Sequence, residues 1–300
     1  MSFVSGFVAI IGRPNAGKST LINTIVKQKI AIATPKAQTT RNNIRGILTD
    51  DDSQIIFLDT PGIHKPQHQL GEAMVKEAWK SLSGADLIYF IVDISKEFGT
   101  GDEFILRQLE SKKIPVILVL NKIDLLKKDE LIEYLEAWKN SYDFAEIIPI
   151  SALKDNNIDR LIEITKGHLT DTIRYYPDNQ VCDYPEQFIM SEIIREKILL
   201  HTHDEIPHSI AIVIEKIVSK KDKMIINAMV LVERDSQKGI IIGKQGSMLK
   251  KVGTLARTEL ELIMGCKVYL EIFVRVEKNW RDRKRQLIQL GYVQTEYEDE

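Results

Sequence analysis

Gly12, Arg13, Pro14, Asn15, Ala16, Gly17, Lys18 and Ser19 fit the spacing G-x-x-x-x-G-K-[ST], with Thr20 following. Residues of these types in this order bind phosphate. The glycines permit tight turns, and successive backbone N–H groups point inward as a cradle for phosphate oxygens. Lys18 reaches the outer phosphates, and the Ser19 hydroxyl can ligate Mg²⁺. A second cluster, Asn121, Lys122, Ile123 and Asp124, can select a base. The Asp124 carboxylate can accept from both the ring N–H and the exocyclic amine of guanine. Adenine offers no such donor pair and would leave that carboxylate unpaired, a rejection of roughly 10⁴–10⁵. Ile150, Ser151 and Ala152 form a candidate second base loop, suited to offer a backbone N–H to the guanine oxygen. GTP or GDP is the expected ligand, not ATP.

A third cluster, Asp59, Thr60, Pro61, Gly62 and Ile63, supplies metal chemistry and a switch. Asp59 is placed to hold the Mg²⁺ hydration shell and the Gly62 N–H to contact the γ-phosphate, so losing that phosphate would release the loop. Residues 34–42 carry three threonines, of which Thr39 or Thr40 can be the second hydroxyl ligand. Thr40 is favoured, but spacing does not separate them. Ser19, Thr40 and Asp59 are thus the candidate metal ligands.

The elements that must position these loops are short apolar runs at 7–11, 54–58, 86–92, 114–120 and 147–150, each ending at a polar cluster. Runs of this kind read as strands buried on both faces, and open α/β sheets place ligands at the carboxyl ends of such strands. Strands and helices alternate to about Gly167, which predicts a mostly parallel sheet flanked by helices. Two prolines and polar residues then mark 175–185 as a linker. Beyond it the order changes to helix (186–200), two strands (209–219 and 222–233), two helices and a closing strand (267–276). Between the paired helices lies Gly243, Lys244, Gln245, Gly246. A glycine pair there brings backbone against a sugar–phosphate chain, with bases in an adjoining groove expected from Ile240, Ile241 and Ile242. From Lys238 to Lys251, Lys250 included, there are four lysines and no acids, an electrostatic footprint for phosphate. Residues 280–285, opening what reads as a final helix, add charge that can be phosphate contact or merely a solvated face.

The first four motifs, GRPNAGKS, QTTRN, DTPG and NKID, with ISA after them, resemble the Era-like (TrmE-Era-EngA) branch of translation-associated GTPases. The order α-β-β-α-α-β with G-x-x-G resembles a type II KH domain. With both, the resemblance spans nearly the whole chain. It implies a GTP-hydrolysing switch that binds 16S rRNA near its 3′ end and assists maturation of the small (30S) ribosomal subunit. Asn15 matches the residue that coordinates a catalytic K⁺ in related enzymes, so K⁺ joins Mg²⁺ as an expected cofactor. The catalytic candidates are then Lys18, Asn15, Gly62 and Thr40. Ile63 stands where small signalling GTPases carry a water-orienting glutamine, which implies slow hydrolysis without help. The alternatives are an RNA-binding scaffold with structural GTP and a membrane-peripheral regulatory GTPase.

The expected organisation is a P-loop GTPase domain over 1–174, the linker, a KH unit over 186–278, and a C-terminal helix with an acidic tail over 279–300. With 44% hydrophobic and 28% charged residues the chain is rich enough for full cores. Residues 180–300 balance 19 Lys and Arg against 19 Asp and Glu, so the positive charge there is local and fits a defined strand of RNA better than general attraction to polyanions. Cys182 and Cys266 lack metal-ligand spacing, which suits a reducing compartment. No run approaches the roughly 18 apolar residues of a membrane span, and the N-terminus lacks a secretory pattern. A cytoplasmic monomer without DNA partners is expected, with the inner membrane face as a possible second location.

Overall fold

The computed structural model describes residues 3–34, 36, 40–41, 44–63, 68–203 and 206–293. Thr39, Gln38, Asn42 and the acidic tail lie outside the described residues. The chain forms two compact units, one holding residues up to 183 apart from 67–73, the other holding the remainder.

The first unit is a six-stranded sheet in the order β2-β3-β1-β4-β5-β6. Its strands are β1 (Val4–Ile11), β2 (Ile44–Thr49), β3 (Ser53–Asp59), β4 (Leu87–Asp93), β5 (Val116–Asn121) and β6 (Glu146–Ile150). All pairings are parallel except β2 with β3, which share a hairpin. Between the strands in sequence run α1 (Lys18–Val26), α2 (Gln69–Lys80, whose residues 69–73 group with the second unit), α3 (Thr100–Glu110) and α4 (Lys128–Lys139), with α5 (Ile158–Lys166) closing the unit. β4 and β5 are buried along their whole length, because helices cover both faces of a parallel sheet. Five strands therefore end at one edge, where Gly12, Asp59, Asp93, Asn121 and Ser151 follow or terminate them.

Residues 175–183 are strapped to this unit. The Ile47 N–H donates to the Val181 carbonyl at 3.0 Å and the Asp183 N–H to the Arg45 carbonyl at 3.3 Å. The Arg45 guanidinium reaches Asp183 at 2.7 Å, and Gln54 Oε1 accepts from the N–H groups of Tyr175 and Tyr176. The segment expected to be a linker thus covers the edge that β2 would otherwise leave open.

The second unit holds α6 (Glu186–His201), α7 (Ile206–Ser209), β7 (Ala211–Lys220), β8 (Lys223–Val232), α8 (Asp235–Ile242), α9 (Ser247–Met264), β9 (Lys267–Val276) and α10 (Lys284–Gln289). β8 is central, antiparallel to β7 and parallel to β9. α6 and α9 lay Met190, Ile194, Ile198, Val252, Ala256 and Leu260 against Ile226, Ala228 and Val230 of the sheet. Ser209 ends a helix and does not open β7. Residues 280–282 form a single 3₁₀ turn and the helix begins only at Lys284, because Trp280 is fully buried and its Nε1 donates to the Ser209 carbonyl. Arg281 pairs with Glu233 at 2.5 Å, so this end of the chain anchors the fold. No helix among the described residues is long and apolar enough to cross a membrane.

Candidate nucleotide site and RNA loop

Gly17 caps α1 with φ +102°, and a Cβ there would sit 2.2 Å from Asn121 Nδ2. Only glycine fits, and this close approach joins the phosphate loop to the base loop. Asn121 Nδ2 donates to the Ala16 carbonyl at 2.8 Å, while its Oδ1 accepts from the Ala152 N–H at 3.0 Å. One buried carboxamide thus holds three loops in register, a role that strand ends only make possible because Asn121 pairs directly with Asp93 and Ile150. Asn15 adopts φ +66°, the left-handed conformation that turns the loop.

Lys18 is buried, and its ammonium donates to the carbonyls of Gly12 at 3.2 Å and Arg13 at 3.1 Å. Burial lowers its pKa to about 8, and the charge of Asp59 opposes that fall. Arg13 turns from the loop to Asp102 at 2.9 Å, so its contribution is to tie Pro14 and its neighbours to the start of α3.

Ser19, Thr40 and Asp59 converge. Ser19 Oγ lies 2.7 Å from Thr40 Oγ1 and donates to Asp59 Oδ2 at 2.8 Å; Thr40 Oγ1 lies 3.2 Å from the same oxygen. Two hydroxyls and a carboxylate are hard oxygen donors, few enough to leave room for waters and phosphate oxygens. That donor set fits Mg²⁺. Thr20 lies half-buried on α1, and Pro61 and Gly62 are buried beside Asp59. Thr60 turns its hydroxyl to the Ile10 carbonyl at 2.7 Å, away from these oxygens, since a buried hydroxyl needs an acceptor. The Ile63 N–H donates to the Gly12 carbonyl at 3.3 Å, and the Ile63 side chain packs among Ile11, Leu58 and Phe90 in the core.

At the base loop, Ser151 Oγ donates to Asp124 Oδ1 at 2.5 Å and orients an otherwise exposed carboxylate. Lys122, at φ +73°, pairs with Asp93 at 2.5 Å, which stretches the lysine stem across the strand ends; Ile123 is half-buried behind it. Burial works against the charge on Asp93, but hydrogen bonds from Lys122 and Ser95 outweigh it and keep the pKa below the usual carboxylate value. The backbone N–H groups of Ser151 and Ala152, one of which was expected to meet the guanine oxygen, both have partners within the chain. The Ser151 N–H is bonded to the Asn156 carbonyl and the Ala152 N–H to Asn121, so a guanine oxygen can take the latter only as a shared, second acceptor.

Asp93 and Asp102 were not among the expected site residues. A carboxylate just past the apolar run of β4 was the available signal for Asp93. Asp102 carried none, because only the fold brings it to Arg13.

In the second unit Gly243 (φ +74°), Gln245 (φ +51°) and Gly246 (φ +77°) make a tight turn between α8 and α9. Lys244, Gln245, Lys250 and Lys251 are exposed around it. Helical periodicity corrects one expectation: Ile241 points into the core with no exposure, so only Ile240, 51% exposed, and half-buried Ile242 can line a groove.

Comparison with known proteins agrees with this geometry. A family model described as 50S ribosome-binding GTPase matches residues 7–122, and one described as KH domain matches residues 205–281. The chain is similar to Era crystallised with MgGDPNP and nucleotides 1506–1542 of 16S ribosomal RNA, at 39% identity and a TM-score of 0.92, covering 97% of this chain and 99% of that one. It is similar to a point variant of Aquifex aeolicus Era bound to GDP and AlF4⁻, at 39% identity and a TM-score of 0.93, covering 97% and 100%.

Proposed function

The chain belongs to the Era family of GTPases, and from that premise we propose that it couples hydrolysis of GTP to the handling of 16S rRNA near its 3′ end during maturation of the small ribosomal subunit. The observation that carries the nucleotide half is Asn121, whose carboxamide ties the phosphate loop to the base loop. The KH unit with its Gly243–Gly246 turn carries the RNA half. The protein acts in the cytoplasm, where its RNA is made.

The chain's own residues divide the work. Lys18 reaches the phosphates from within the loop, and the Gly62 N–H meets the terminal one. Asp124, oriented by Ser151, accepts from guanine. Ser19 and Thr40, with Asp59 beside them, would hold Mg²⁺, which when bound neutralises charge on the β- and γ-phosphates. Ile63 lies in the core, so no side chain at that position orients water. Charge stabilisation must come from elsewhere, and Asn15 is the candidate to hold a K⁺ near the phosphates. Turnover in KCl is expected to exceed turnover in NaCl at equal ionic strength by about ten-fold or more. Equal rates would remove K⁺ from the account.

A further inference from the structure

The three-stranded sheet of the second unit has two faces. Inward positions such as Ile226, Ala228, Val230 and Val268 pack in the core. The register fixes what stands on the other face, with a bulge at Glu215 restoring the alternation along β7. Lys220, Lys223 and Lys267 form one cross-strand row; Val218, Ile225 and Tyr269 form the next. Lys216, Asn227 and Glu271 follow, then Val213, Met229 and Phe273. Tyr269 is 57% exposed and Phe273 50%.

Two features of this face do not serve folding. Like charges directly opposite on neighbouring strands are destabilising. Lys267 finds Glu261 at 3.6 Å, but among the described residues neither Lys220 nor Lys223 has an ion-pair partner. The solvated face of a sheet is ordinarily polar, whereas here two rows end in exposed aromatic rings about 13 Å apart along β9. Cations beside exposed rings are the apparatus of single-stranded nucleic-acid binding, in which bases stack on aromatics and lysines follow the phosphates.

We propose that this outer face is a second RNA-binding surface, with phosphates over the Lys220–Lys223–Lys267 row and bases stacked on Tyr269 and Phe273. The proposal rests on the RNA-binding reading and deepens it, because a G-x-x-G turn clamps only about four nucleotides. Asn227 and Glu271, between the aromatic rows, offer donors and acceptors to base edges. An anionic bilayer is the poorer occupant, since seating both rings in lipid would bury the Glu271 carboxylate between them.

The test uses the full chain and a synthetic RNA of nucleotides 1506–1542 of 16S rRNA, followed by fluorescence anisotropy. Tyr269→Ser with Phe273→Ser is expected to weaken binding at least about ten-fold, and Tyr269→Phe with Phe273→Tyr to retain it. Lys220→Gln with Lys223→Gln is expected to lower the slope of log affinity against log salt by about 1.4. All variants should keep the melting temperature and RNA-free GTP turnover. Wild-type affinity in both loss variants overturns the proposal. If Gly246→Asp alone then abolishes binding, the RNA reading survives without the sheet; if the unmodified chain does not bind, both fall. Loss of sedimentation with phosphatidylserine vesicles, at unchanged RNA affinity, makes the face a membrane contact and also overturns the proposal.

Discussion

Asp124→Asn is expected to cost about 10⁴-fold in GTP affinity while creating affinity for XTP. The carboxylate accepts twice from guanine. A carboxamide accepts once and presents an N–H to the exocyclic amine, donor against donor. Xanthine carries a carbonyl at that position, so the same N–H becomes a hydrogen bond. Asp124 is exposed and isosteric with asparagine, and Ser151 can still donate to the remaining oxygen, so the fold should be untouched. Competition of both nucleotides against a fluorescent analogue reads the exchange. A variant that keeps wild-type preference for GTP would place base recognition elsewhere.

Gly246→Asp is expected to reduce RNA affinity by about a hundred-fold while leaving nucleotide binding intact. The two glycines of the turn fail differently. At Gly243 a Cβ would lie 2.7 Å from the Met248 Cβ and 2.8 Å from its backbone nitrogen, so substitution disturbs the start of α9. At Gly246 nothing lies within 4 Å of an added Cβ, and φ +77° falls in the left-handed region that aspartate tolerates better than most residues. Gly246→Asp therefore places a negative charge where a phosphate must pass, in a chain that still folds. Gly246→Asn, without the charge, should lose much less. Equal affinity for RNA in the aspartate variant and the unmodified chain, in a titration at one salt concentration, would separate this turn from RNA.

The nucleotide site was legible because its chemistry demands particular residue types at short, fixed spacing and places them at the ends of apolar runs. Gly17, Lys18, Asp59, Asn121 and Asp124 carry that signal locally. Pairings across the fold were not legible. Nothing near Arg13 announces Asp102, 89 residues away, as its partner. The same holds for Asn121 and the Ala152 N–H, which the sequence left for the base. Where local pattern and tertiary packing compete, packing prevails. Ile241 sits in an apolar triplet that suited a groove, yet the helical period turns it into the core. Trp280 opens a basic stretch that read as a helix start, yet burying its indole sets a 3₁₀ turn first. Residues 175–183 have linker composition, but their backbone finds partners on β2. Thr40, the threonine favoured from the sequence, meets Ser19 and Asp59, while Thr39 lies outside the described residues.

Nucleotide state and RNA affinity are linked only if RNA binds one state better than the other. The direct measurement is the affinity of the full chain for the 16S 3′ RNA with GDP and with a non-hydrolysable GTP analogue, at one salt concentration. A difference of about five-fold or more, favouring the GTP form, is expected. Equal affinities would mean that the pocket and the RNA loop share a chain without sharing a function.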